Sequence, residues 1–341
     1  MGSKGYEELN QESLQNAIDS QFGAGKVNVV DNGNDTFTVS FIGTKREYNI
    51  SKKDVGIIID WNEAMRNAKA PDNQKSTSKN VIGIGTDGEP VNMDLWSYYL
   101  LDDDTYTLNS QESYNGTQDE CGYKGNIING TIEGTIPQFI STDGGKKYKK
   151  VTSLYETFMS LSDLNNIKTI PSTITEMKWT FWNCTNLQVA PSIPSNVVDM
   201  SGTFFKCIML EKTPLLPLSV KNMYRSFDRC INLKIITNIP EKVENLKFTF
   251  YGCSNLEDIN LIIPNSVKNM NRTFYECTNL WGTIVINATL SGEMVGNELD
   301  YEWCFYRSAL GEQKLTIYGS CNFLDKLYES KTENSNIVLL K

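Results

Sequence analysis

The sequence predicts an α+β, mainly β chain built around a tandem solenoid, and three observations carry that reading. Between Leu154 and Leu280 one pattern recurs six times: an apolar residue, then Thr or Ser before Phe, then Cys or Leu, then Leu. The phenylalanines Phe158, Phe181, Phe204, Phe227, Phe250 and Phe274 are separated by 23, 23, 23, 23 and 24 residues. Pro171, Pro194, Pro217, Pro240 and Pro264 hold the same register. A tandem period of roughly 20–29 residues is the mark of a leucine-rich-repeat solenoid with a parallel sheet along one side. Such a solenoid is an extended surface, not a pocket built around reactive groups.

The elements divide the chain into residues 1–69, a linker 70–80, a small β region or N-terminal cap 81–148, the repeats 149–282 and a C-terminal cap 283–341. In the first segment, Leu14, Ala17 and Ile18 share one face of a short amphipathic helix over Gln11–Phe22. Lys26–Val30, Thr36–Phe41 and Arg46–Ile50 alternate apolar and polar residues around two polar turns, which predicts an antiparallel meander. The stretch Ala70–Asn80 is a polar linker.

In the next region, Gly83-Ile84-Gly85-Thr86-Asp87-Gly88 formally matches a dinucleotide fingerprint. That motif must open a helix, whereas Glu89-Pro90-Val91 follows here, so Thr86–Glu89 reads as a hairpin turn. Asp102-Asp103-Asp104 lacks the alternating spacing of a calcium loop and reads as a solvated turn.

Each repeat places Ile174, Val197, Val220, Val243 or Val267, then Met or Leu, then Phe, Cys and Leu at positions that must point inward. The residues after each Leu are expected to form the strand, and Thr-Phe-x-x-Cys a tight helical or 3₁₀ turn. The Thr and Ser hydroxyls, and the amides of Asn186, Asn232, Asn255 and Asn279, can satisfy backbone groups. Cys184, Cys207, Cys230, Cys253 and Cys277 recur without Cys-x₂₋₄-Cys spacing, so they read as buried thiols rather than zinc ligands. A Cys304–Cys321 bridge in the cap is the one pairing left open. The first copy carries Leu161 in place of Cys, and Phe305 follows Phe274 by 31 residues, as expected of atypical ends.

The Phe-x-x-Cys-x-x-Leu and Ile-Pro-x-x-Val pattern resembles the BspA-like class of bacterial surface leucine-rich repeats. The resemblance implies exposure at the cell surface or outside the cell, with roles in adhesion and protein binding. The amino-terminal helix and meander resemble the globular heads of type IV pilin-like and pseudopilin proteins, which implies a missing apolar stem. The opening Met1-Gly2-Ser3-Lys4 reads as a start added by cloning, so a native anchor or export signal is expected to have been removed.

Composition narrows the chemistry. The chain has no histidine, which removes the commonest general base and metal ligand and every Ser-His or Cys-His pair. It is therefore read as a non-enzyme with no cofactor and no metal. Its net charge of −9 disfavours nucleic acid, although Val151–Leu280 holds 12 Lys and Arg against 11 Asp and Glu. No apolar run reaches the length of a membrane span.

Function is accordingly sought in the variable positions. Two and four residues after each Leu, Asn166, Lys168, Val189, Lys212, Ile235, Thr237, Asp258 and Asn260 are expected to face a protein partner or a second copy. Trp182, Phe205, Tyr251 and Tyr275 follow the phenylalanines and offer an aromatic platform for sugar rings, or cover for the gaps between turns. The leading expectation is an adhesive or protein-binding surface or secreted protein. The alternatives are a minor pilin-type subunit displaying the repeats and a carbohydrate-binding module. An enzyme acting on glycans has no carboxylate pair that the sequence can place.

Overall fold

The computed structural model describes residues 15, 27–33, 36–41, 47–51, 81–109, 121–167, 169–287, 302–319 and 335–340. The chain falls into two compact units, described separately: residues 1–94, 102–106 and 134–151, and residues 95–101, 107–133 and 152–341.

In the first unit, Val27–Asp31, Thr36–Phe41 and Glu47–Ser51 form an antiparallel meander, as the alternation predicts. Of the expected helix over Gln11–Phe22 only Gln15 is described; it is helical, and its Oε1 accepts the Val29 N–H at 3.0 Å. A three-stranded meander is common to many small β units, so the pilin resemblance goes no further. The linker 70–80 lies outside the described residues. Ile82–Gly85 pairs antiparallel with Pro90–Val91 on one side and with Pro137–Ser141 on the other, and the latter continues to Lys149–Ser153. The glycine motif thus closes a hairpin, with Gly88 donating to the Gly85 carbonyl at 3.1 Å, and it leads into the strand Pro90–Val91 rather than opening a helix. The three aspartates form a solvated turn. Asp103 accepts from the Thr105 N–H and hydroxyl, and Asp104 pairs with Lys147 and Lys149.

The second unit holds the solenoid. Its seven core phenylalanines, from Phe158 to Phe305, stack with centroids 5.3–5.7 Å apart and planes within 15°. Backbone polar groups are shared between coils by a rule with two directions. In the turn after each Met, alternate N–H groups donate to the next coil; Met200, Gly202, Phe204 and Lys206 donate to Asn222, Tyr224, Ser226 and Asp228. Side-chain donors point the other way. Thr180, Thr203, Ser226, Thr249 and Thr273 donate to carbonyls of the preceding coil at 2.7–2.9 Å. The five thiols donate to the carbonyl of the preceding phenylalanine at 2.9–3.2 Å. The cysteines are buried and unbridged as expected, but they serve as donors as well as filler.

Two expectations about the coil are corrected. The Thr-Phe-x-x-Cys segment is neither α nor 3₁₀; it is a pair of turns with two left-handed residues per coil. These are Glu156 and Ser160, Trp179 and Asn183, Gly202 and Lys206, Arg225 and Arg229, Phe248 and Gly252, Arg272 and Glu276, and Trp303 and Arg307. The left-handed kinks let alternate N–H groups leave the turn for the next coil, which a helix would retain for itself.

The segment after each Leu is also not a strand in most coils, where only isolated parallel bridges such as Asn166 to Val189 and Lys212 to Ile235 occur. A regular strand begins at Ile259–Ile263, which heads a parallel sheet with Gly282–Ile286, Leu315–Tyr318 and Ile337–Leu340. The physical reason is one residue. Leu256 to Pro264 is eight residues, where the equivalent interval is seven in the earlier coils, and this extra residue produces the step of 24. It restores in–out alternation, and the strand reads buried, exposed, buried, exposed, buried.

Both ends of the array are disguised coils. At the start, Leu108 donates to Ser153 and accepts from the Thr157 hydroxyl, while Tyr123 donates to the Thr157 carbonyl. Gly130, in an Asn129-Gly130 hairpin turn, accepts from the N–H groups of Asn165 and Asn166. Leu108, Tyr123 and Gly130 therefore occupy the places that Leu154, Phe158 and Asn165 hold one coil later. Tyr123 and Trp96 cover the exposed end of the ring stack, 6.0 Å and 5.9 Å from Phe158. Leu161 cannot donate a proton to the Tyr123 carbonyl, and the Cys121 thiol does so instead at 2.8 Å. At the other end Cys304 takes the Thr position and Ser308 the Cys position, with the Ser308 hydroxyl donating to Phe274. Cys321 lies outside the described residues.

Among the described residues no helix is long and apolar enough to cross a membrane.

Candidate functional site

The inward positions are consumed by packing, so the chemistry available to a partner is that of the columns between them. The column two residues after each Leu is drawn together by backbone bonds between coils: Gln188 and Val189 donate to Asn165, and Lys234 and Ile235 to Glu211. It brings Asn166, Val189, Lys212, Ile235 and Asp258 into one row, with Thr237 and Asn260 exposed two positions further on. Val189 and Ile235 are 64% and 51% exposed, large apolar side chains held out in water beside one lysine and one carboxylate. Lys168 lies outside the described residues. The sequence reading passed over Leu215 and Leu218, 71% and 63% exposed in the same stretch. In Leu215-Leu216-Pro217-Leu218 only Leu216 turns inward, and an unbroken apolar run gives no sign of which member does so.

The turn side is chemically different. Trp182 and Phe205 meet edge to face at 6.2 Å, with Trp179 6.3 Å from Trp182 and 6.0 Å from Phe205. Tyr251 and Tyr275 stack in parallel at 4.8 Å, and Tyr306 continues the row 5.1 Å from Tyr275. All are half-buried. The ring faces in the tyrosine row are largely taken up by one another, which leaves mainly their edges toward solvent.

Between these two aromatic groups stands Asp228, in the position that Phe205 and Tyr251 hold in neighbouring coils. Its side chain is 1% exposed, and Oδ2 accepts from Arg225 Nη1 at 2.8 Å. Oδ1 has Arg229 Nε at 3.9 Å and no hydrogen bond among the described residues. Burial pushes the Asp228 carboxyl up to about 7 against the pull of Arg225. Arg225 is itself fixed: its Nε donates to the Tyr224 hydroxyl at 3.0 Å, and its guanidinium lies 4.4 Å from the Phe248 ring centroid. The pairing of Arg225 with Asp228 and Phe248 has no sign in the sequence, because it depends on which residues of the turn are left-handed.

Burial drives the thiols of Cys184, Cys207, Cys230, Cys253 and Cys277 well above the usual thiol range, so they stay protonated. Among the described residues no three His, Cys, Asp or Glu side chains converge to hold a metal.

The stacked coils, phenylalanine ladder and parallel sheet define a leucine-rich-repeat solenoid. The family described as BspA type leucine rich repeat region matches in six copies over residues 148–247 and 215–325, just over half the chain. The chain belongs to that family. It is similar to a leucine-rich repeat protein of T. pallidum at 16% identity and a TM-score of 0.45, over 71% of this chain and 97% of that one. It is also similar to a leucine-rich cell surface protein of Faecalibacterium prausnitzii A2-165 at 20% identity and a TM-score of 0.44, over 66% and 69%. A leucine-rich repeat protein of Bacteroides ovatus ATCC 8483 matches at 20% identity and a TM-score of 0.33, over 72% and 76%. No curated protein matches the sequence.

Proposed function

We propose that the chain is a non-enzymatic recognition protein of the bacterial surface or secreted space, adhering to a protein partner through the variable row beside its bridged columns. The observation that carries this reading is the exposure of Val189 and Ile235 in one row with Lys212 and Asp258. Exposed apolar anchors rimmed by charge are the composition of a protein-docking surface, where a few central side chains supply most of the affinity. Leu215 and Leu218 enlarge the apolar content of that stretch. Family membership and the lack of histidine favour binding over catalysis.

The test is binding to immobilised extracellular-matrix proteins, comparing the parent with V189D/I235D and with K212E/D258K. At least one matrix protein should be retained, with affinity falling roughly tenfold or more in both variants. No retention, or retention that both variants leave unchanged, rejects the reading. Protease treatment of intact producing cells should remove the protein if it is displayed; full protection would reject the location.

A further inference from the structure

We propose that the turn side of the solenoid is a second binding site, for a polysaccharide bearing carboxylates or sulfates. The proposal goes beyond the protein-binding row and uses different residues. Within the turns 200–206, 223–229, 246–252 and 270–276 the charged residues are Lys206, Arg225, Asp228, Arg229, Lys247, Arg272 and Glu276. Five are cations; of the two anions, Asp228 is sealed beneath Arg225 and Glu276 pairs with Arg307. The patch is therefore basic on a chain of net charge −9. At physiological salt, charges farther away than about 8 Å are largely screened, so a ligand on this face meets the local sign.

The cations are also positioned. Arg225 lies against Phe248, with Tyr224 and Asp228 holding its Nε and Nη1; Arg272 and Lys247 sit 5.5 Å and 5.7 Å from the Phe248 ring centroid, and Lys206 sits 5.6 Å from that of Phe205. A guanidinium held in place loses little entropy when it engages an oxyanion, and its planar fork matches carboxylate and sulfate geometry. Lys206 and Lys247 make no ion pair among the described residues. The cations are spread over successive coils, Lys206 on one, Arg225 and Arg229 on the next, and Lys247 and Arg272 on the two after it, an extent that suits a polymer with repeated charge better than a single small anion.

The same face argues against a protein. None of the exposed large apolar side chains falls within the turns 200–206, 223–229, 246–252 or 270–276, whereas the other row carries Val189, Leu215, Leu218 and Ile235. A protein interface needs a desolvated apolar centre, and the aromatic side chains of these four turns are buried or half-buried rather than held out as anchors. Tyrosine hydroxyls interleaved with cations can hydrogen-bond sugar hydroxyls and pair with their acidic groups.

The test is binding of the full chain to heparin and to polygalacturonate, with dextran as the uncharged comparison. Polyglutamate and single-stranded oligothymidylate serve as anions without sugar-ring chemistry or with a different backbone. Binding to heparin or polygalacturonate should weaken as salt rises, and K206E/R229E/K247E should lower affinity by roughly tenfold or more while V189D/I235D leaves it unchanged. Circular dichroism checks that the triple variant folds. If it does not, K247A alone, which removes one exposed charge, should reduce affinity and flatten the salt dependence. No binding to either acidic glycan at low salt overturns the proposal. Equal affinity for polyglutamate or oligothymidylate at matched charge also overturns it, leaving a nonspecific anion surface. Loss of matrix-protein binding in V189D/I235D with intact heparin binding would separate the two sites.

Discussion

A buried thiol in this protein is a hydrogen-bond donor first and a hydrophobe second. Cys230 donates to the Phe204 carbonyl, and Ser308 does the same for Phe274 at the end of the array. Cys230→Ser should therefore stay within about 1 kcal/mol of the parent in chemical denaturation, while Cys230→Ala, which loses both the donor and volume, should cost about 2 kcal/mol. Equal losses for Ser and Ala would mean that the bond contributes nothing. Asp228 makes a prediction about pH. Its carboxyl titrates near 7 in the folded chain and at the ordinary carboxylate value when unfolded, so the folded state holds the proton more tightly between those limits. Stability from this site is present at low pH and lost as pH rises through about 7. Asp228→Asn should stabilise the protein at pH 8 by on the order of 1–3 kcal/mol, and the difference should shrink toward pH 5 in thermal melts. A variant that is destabilised at every pH would show that the charged pair with Arg225 outweighs the burial.

At the scale of the turn, stability depends on left-handed backbone in residues that seldom adopt it. Gly202 and Gly252 occupy left-handed positions at φ of 62° and 69°. A Cβ on Gly252 would meet Arg229 at an ordinary 3.5 Å, whereas one on Gly202 would lie 1.9 Å from the Trp179 ring. Gly252→Ala should cost about 1–2 kcal/mol, from backbone strain alone. Gly202→Ala should cost clearly more, and equal losses in urea unfolding would remove the Trp179 contact from the account. The repeat was legible in the sequence because its inward residues recur at one interval. The turn geometry was not, because left-handed positions occupied by Trp, Phe, Arg and Lys carry no compositional sign. The row of Val189, Lys212, Ile235 and Asp258 could be placed by counting from Leu, whereas the regular strands were confined to one end by a single inserted residue after Leu256. The first disguised coil escaped detection for the same kind of reason. Leu108 and Tyr123 are fifteen residues apart where Leu154 and Phe158 are four apart, so no fixed period reaches it.

Among the described residues of the second unit, the backbone bonds between coils join each coil to its neighbours, the arrangement in which stability becomes a sum of coil and interface terms. The ends are then the weak points, and Trp96 and Tyr123 close one of them over Phe158. Trp96→Ala should destabilise the protein by about 3–5 kcal/mol and raise hydrogen exchange first in coils 154–187, with protection retained around Leu256–Ile286. Uniform loss of protection would show instead that the array melts as one cooperative block.

The opposed directions of the donor sets, turn backbone toward the following coil and hydroxyl or thiol toward the preceding one, give the internal coils a matching plug and socket. Copy number is therefore free to drift by duplication of 23 residues, because an added unit finds matching partners on both sides and disturbs neither disguised end. A second copy of residues 200–222 should be accepted without loss of fold, moving the coils after it along by about one strand spacing, 5 Å. Lineages carrying such proteins can change the reach of a binding surface in steps of fixed size while the two terminal structures stay as they are.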